Sequence, residues 1–183
     1  MNTANFSSST LRHALNVVIG TRQSTIELMT SCFKGTEEEL AQRYRLHHLN
    51  LDYPLKAAVN NSEYDGQGTD SLESDLLNIY HSLVRVGKVL AIVNETVYEQ
   101  TTRNYFQFFV EKVEHNIFNA ANFLSCVSEG DDHIPDPFNR HPCPEYVIVN
   151  EFVQLLNVIE KKYGVMLRQQ EAVEAAAAAQ AED

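Results

Sequence analysis

The sequence predicts an all-α protein: an antiparallel bundle of four long helices with one or two short extra helices. Three observations carry that prediction. Apolar residues recur at alternating steps of three and four over long stretches, the period of one helix face. Gly and Pro number only 7 and 5 among 183 residues, about half the usual share, which argues against a turn-rich all-β fold. Apolar residues make up 44 % and charged residues 21 %, the balance of a globule rather than of a disordered chain.

The first helix is expected to start at Ser7 to Thr10, all N-cap residue types, and to carry Leu11, Leu15, Val18, Ile26, Met29 and Phe33 on one face. Arg22 interrupts that stripe, and Gly35 can end the helix by taking a left-handed conformation. Thr36 with Glu39 forms a capping box, with Glu37 and Glu38 placed favourably beside them, so a short polar helix should follow to about His48. Pro54 restarts the chain in a short segment to about Val59, and the turn formers of 60–71 read as a solvated loop.

The strongest signal follows. Leu72, Leu76, Ile79, Leu83, Val86, Leu90, Val93 and Val97 alternate steps of four and three without a miss. Phe106, Val110, Val113, Ile117, Ala120, Leu124 and Val127 repeat the pattern out of phase with the first seam. A turn is therefore expected within 94–104, with Thr101 or Thr102 capping the second helix, and the two helices should pack antiparallel. Four of the five prolines fall in the loop 128–144. The last helix should start near Pro144 and bury Val149, Phe152, Leu156, Ile159, Tyr163 and Met166. Residues 1–168 then form a single helical bundle domain, and 169–183 an Ala/Glu-rich extension with little to bury and a tendency to fray.

Acids outnumber bases 25 to 14, a formal charge of −11, which disfavours nucleic acid as a partner. The acidity is local: 62–75 hold five acids, 128–137 four and the stretch after Arg168 four, none with a Lys or Arg beside them. The remainder is close to neutral, so a partner protein with a basic face is expected at the two loops and the tail. The N-terminus shows no signal-peptide pattern, no stretch approaches the ~18 apolar residues that span a bilayer, and the three cysteines include no CxxC pair. A reduced, cytoplasmic protein without a membrane segment is the expectation, and the N-x-S/T triplets at Asn5, Asn60 and Asn94 are read as chance matches.

No cofactor motif is present, and the glycines of 65–68 lack the strand and Lys-Ser/Thr of a phosphate loop. Asp131, His133, His141 and Cys143 are metal-ligand residue types at a spacing that matches no zinc pattern. Glu111 and His115 lie one turn apart without the second Glu/His set that a di-iron bundle needs. Glu37, Glu38 and Glu39 are consecutive and point to different faces, so they cannot converge on one magnesium ion.

Two short patterns resemble known families. His81, Ser82 and Leu83 are similar to the opening of the phosphoacceptor string of histidine phosphotransfer domains, which are also four-helix bundles. That resemblance implies phosphorylation at His81, although Val84 and Arg85 stand where the family has Lys and Gly. Arg43 and His48 resemble the Arg-x4–6-His pair of HEPN ribonucleases, another helical family, which implies RNA cleavage by those two residues. Without a fuller catalytic set, the function expected from the sequence is a non-catalytic helical interaction, regulatory or assembly protein. Self-association is a second expectation, should Val84, Tyr98, Tyr105 or Phe108 lie exposed.

Overall fold

The computed structural model describes residues 6–43, 69–124 and 144–181. These form α1 (Ser8–Phe33), α2 (Glu37–Arg43), α3 (Thr69–Thr96), α4 (Gln100–Ala121) and α5 (Pro144–Ala181), and no strand occurs among the described residues. The expected all-α class is what the chain adopts. His48, the 54–59 segment, Val127 and the proline-rich loop lie outside the described residues, apart from Pro144 at the start of α5.

Each helix end has a local cause. Ser7 caps α1: its Oγ accepts from the Thr10 amide at 3.2 Å while its own amide donates to Thr10 Oγ1 at 3.0 Å. At the other end the left-handed residue is Lys34, with φ 53°, not Gly35. Gly35 serves a different need, because a Cβ there would sit 3.2 Å from Leu40 Cδ2. The close approach seats Leu40, a buried residue of α2, against the end of α1. Thr36 and Glu39 form the expected capping box, through Thr36 N–H to Glu39 Oε2 at 2.9 Å and Glu39 N–H to Thr36 Oγ1 at 3.2 Å. These hydrogen bonds, the Thr36 backbone donor foremost, hold the Glu39 carboxyl below its ordinary range.

The turn between α3 and α4 spans only Val97–Glu99. Glu99, not Thr101 or Thr102, is the N-cap of α4. Thr102 instead donates its hydroxyl to Glu99 Oε2 at 2.8 Å. Arg103 reaches back with Nε and Nη2 to the Val97 carbonyl at 3.1 and 2.7 Å, so a cation closes the carbonyl end of α3.

The helix directions follow from cross-contacts. Ser8 with Glu174, Arg12 with Glu171, Arg22 with Glu160 and Phe33 with Tyr146 run in opposite senses along α1 and α5. Phe6 with Phe123 and Thr21 with Asn116 set α1 against α4 in the same way. The tight turn makes α3 and α4 antiparallel, with Gly87 facing Val113 and Ile117. Contacts between α3 and α5 close a square whose four neighbouring pairs are all antiparallel. In chain order the long helices run up, up, down, down. That order requires two long crossovers, α1 to α3 by way of α2 and α4 to α5.

The core fills the centre of this square. The predicted α3 seam is buried from Leu76 to Val97, and Asp75, Ser82 and Val89 add a third column at a spacing of seven. A stripe of that width suits a helix with two neighbours rather than a two-stranded coil. In α1 the gap at Arg22 is filled by Thr21 and Thr25, both buried. In α4 and the turn that follows it the buried set is Phe106, Phe109, Val113, Asn116, Ala120 and Phe123, while Val110, Ile117 and Leu124 are only partly covered. The predicted column for α4 was thus displaced by one residue at three points. Residues 146–153 of α5 are buried on every side, as befits the helix that packs on both α1 and α3. Burying each large apolar side chain here contributes about 1.5–3 kcal/mol.

The last helix does not stop at Arg168. It continues unbroken to Ala181, and Glu171 and Glu174 hydrogen-bond α1. Asp70, Glu73 and Asp75 likewise belong to α3 and not to a loop. Leu72–Thr96 is long and apolar enough by composition to cross a membrane, and here its apolar seam packs into the core. Asn94 lies half-buried near the end of this helix, with its Oδ1 buried.

Candidate functional site

Of the candidate catalytic side chains, Arg43 and His81 fall among the described residues. Arg43 ends α2 and donates from Nη1 to the Phe33 carbonyl at 3.2 Å, closing the C-terminus of α1. Its proposed partner His48 lies outside the described residues. His81 is half-buried on α3, with its ring tilted 58° against Tyr80 at 5.7 Å. Ser82, next in the phosphotransfer-like string, is buried and donates its hydroxyl to the Asn78 carbonyl at 2.7 Å. Asp131, His133, His141 and Cys143 all fall outside the described residues.

The carboxylates distribute the same way. Glu111 accepts from Gln107 Nε2 at 3.2 Å, and His115 is exposed. Asp75 accepts from Lys162 Nζ at 2.6 Å across α3 and α5, with side chains only 13 % and 11 % exposed. Among the described residues no group of three or more His, Cys, Asp or Glu side chains converges as a metal site would need.

One concave feature stands apart from these. A cleft of about 330 Å3 opens between the first turns of α1 and the end of α4, walled by Ser9, Thr10, His13, Asn119 and Asn122, with Ala14 and Phe123 at its base. The lining holds no acid, lysine or arginine. The Asn119 Nδ2 is buried without an acceptor, and Phe123 is fixed edge-on between Phe6 and Tyr163, at 6.0 and 5.8 Å. Burial pushes the Tyr163 hydroxyl well above its ordinary value, so that ring is neutral core. The cleft gathers the Ser9 and Thr10 hydroxyls, the His13 imidazole and two side-chain amides around an aromatic base.

Nothing in the sequence marked this cleft, because its walls come from segments about a hundred residues apart and none of its side chains forms a motif. The Asp75–Lys162 pair had a fainter trace. Asp75 precedes Ser82 and Val89 at steps of seven, the column that borders the apolar seam.

The class defined by fold and site is an all-α bundle in up-up-down-down order, with a small polar cleft at one end. Comparison with protein-family models, curated proteins and solved structures finds no match for this chain.

Proposed function

We propose that this chain is a non-catalytic interaction protein, a helical bundle acting as a regulatory or assembly partner of another protein. The observation that supports this reading is the use of Arg43, which closes the end of α1 through the Phe33 carbonyl. A ribonuclease pair needs that side chain directed at a substrate.

The partner we favour is a protein with a basic face, because 13 of the 25 acids fall in three stretches without a Lys or Arg; Asp75, Glu171 and Glu174 are engaged within the bundle, and the other 10 would meet such a face. Self-association is a second reading: Tyr98, in the α3–α4 turn, is 96 % exposed and Phe118, near the other end of α4, is 64 % exposed, and an interface at either would remove it from water. Val84, Tyr105 and Phe108 are half-buried, and Lys112 lies over the Phe108 ring at 5.0 Å. The cytoplasm is the compartment we propose, where three cysteines without a CxxC pair stay reduced.

The reading is tested by incubating the purified protein with single-stranded RNA, beside an Arg43→Ala/His48→Ala variant. Equal RNA survival for both proteins is expected. RNA cleavage by the wild type that the double variant loses would replace this function with a ribonuclease.

A further inference from the structure

The first N–H groups of any helix lack partners within it. In α1 the Ser8 amide finds one 166 residues away: it donates to Glu174 Oε1 at 2.9 Å, and the Ser8 hydroxyl donates to Glu174 Oε2 at 2.6 Å. Gln170 Nε2 donates to the same carboxylate at 3.0 Å. One turn along, Arg12 pairs with Glu171. These polar contacts hold a stretch of α5 that has no other deep anchor. Met166 is its last buried residue, and 172–181 are exposed throughout.

We propose that Glu174 makes the end of α5 a proton-sensitive clasp on α1, docked while its carboxylate is charged and released when it is neutral. A charged carboxylate accepts all three donors and lies at the positive end of the α1 dipole, where negative charge is favoured. Protonation turns one oxygen into a donor and removes the charge. The side chain is then a poor partner for the Ser8 amide and hydroxyl.

Among the described residues, the groups facing Glu174 are few. From α1 come Ser8 and Arg12, the latter paired with Glu171, and from α5 itself come Gln170 and Glu171. The cleft between α1 and α4 adds His13 as its titratable lining residue. The Ser8 hydroxyl first, then its amide and Gln170, hold the Glu174 carboxyl below its ordinary value of 4.5. The sign follows. A carboxyl lowered in the folded state stabilises docking above its unfolded value, and that contribution is lost as pH falls through the folded value. Release therefore belongs to the acid side of 4.5, with the clasp fully closed near neutrality.

Amide exchange read by NMR tests this in the full chain, with wild type, Glu174→Gln and Arg12→Gln compared from about pH 7 down to about pH 3.5. At neutral pH the Ser8 amide of Glu174→Gln should exchange faster than wild type by about fivefold, while Ile159 keeps its protection. Wild type should fall to the Glu174→Gln level as Glu174 titrates, and Arg12→Gln should keep that step. Equal Ser8 protection in wild type and Glu174→Gln at neutral pH would overturn the proposal. So would wild-type protection that survives Glu174 protonation. Loss of the step in Arg12→Gln would assign the sensitivity to the Arg12–Glu171 pair and overturn the role of Glu174.

Discussion

Asn116 sits where the apolar pattern of α4 pointed to its neighbour Ile117, and the reason lies on the facing helix. Thr21 of α1 presents a hydroxyl inside the core, and Asn116 Nδ2 donates to it at 3.0 Å while also donating to the Lys112 carbonyl at 2.8 Å. The Asn116 Oδ1 is buried without a partner. A buried polar contact of this kind is costly to break from one side and cheap to replace from both. Thr21→Val alone should destabilise the protein by about 1 kcal/mol. Thr21→Val with Asn116→Leu should return stability to within about 0.5 kcal/mol of wild type or above it. Urea denaturation of the three proteins measures both, and additive losses would refute the coupling. Neither residue was legible as core from the sequence. An isolated Thr or Asn on an apolar stripe carries no sign of a partner 95 residues away.

At the level of elements, the α3–α4 hairpin shows how far periodicity reaches. The α3 seam was readable residue by residue because its apolar columns are complete. In α4 both Phe109 and Val110, and both Phe123 and Leu124, are apolar. The pattern alone cannot choose between adjacent columns about 100° apart. Packing chose Phe109 and Phe123, the latter through its contacts with Phe6 and Tyr163. Gly87 sets the spacing of the hairpin, since a Cβ there would lie 3.3 Å from Ile117 Cδ1 and 3.4 Å from Val113 Cγ1. Gly87→Leu should force the helices apart and cost about 1–3 kcal/mol, seen as a lowered Tm. An unchanged Tm would show that the two helices are not in close register at this point. The helix caps were partly legible. Thr36 with Glu39 was a motif, whereas Arg103 closing α3 depended on where the turn fell.

For the whole molecule, the up-up-down-down order separates each long helix from one of its neighbours by a crossover. Contacts between distant segments must then hold the square together. Asp75 and Lys162 join α3 to α5 at one such edge, where both side chains are largely shielded from water. Removing one member of such a pair leaves a poorly solvated charge. Lys162→Met should therefore cost about 3 kcal/mol in a chemical melt. Asp75→Leu combined with Lys162→Met should recover most of that loss, because neither charge of the pair is then stranded. A double variant as unstable as the single one would show that the pair itself, not the stranded charge, supplies the stability.

The sequence by itself determined the all-α class, the positions of the long helices and most of the residues they bury. Those features depend on local spacing, which the 3.6-residue period turns directly into a face. Tertiary structure alone decided the order of the helices in the square, which of two adjacent columns faces inward, and what the polar residues do. Arg43 reads as a candidate site residue in the sequence, and Ser82, Asp75 and Glu174 as polar side chains without a stated partner. Their partners in space make the first a helix cap, the second a backbone tie, the third an ion pair and the fourth a clasp. A side chain's chemistry depends on the groups within a few ångströms of it, and those neighbours come from distant parts of the chain.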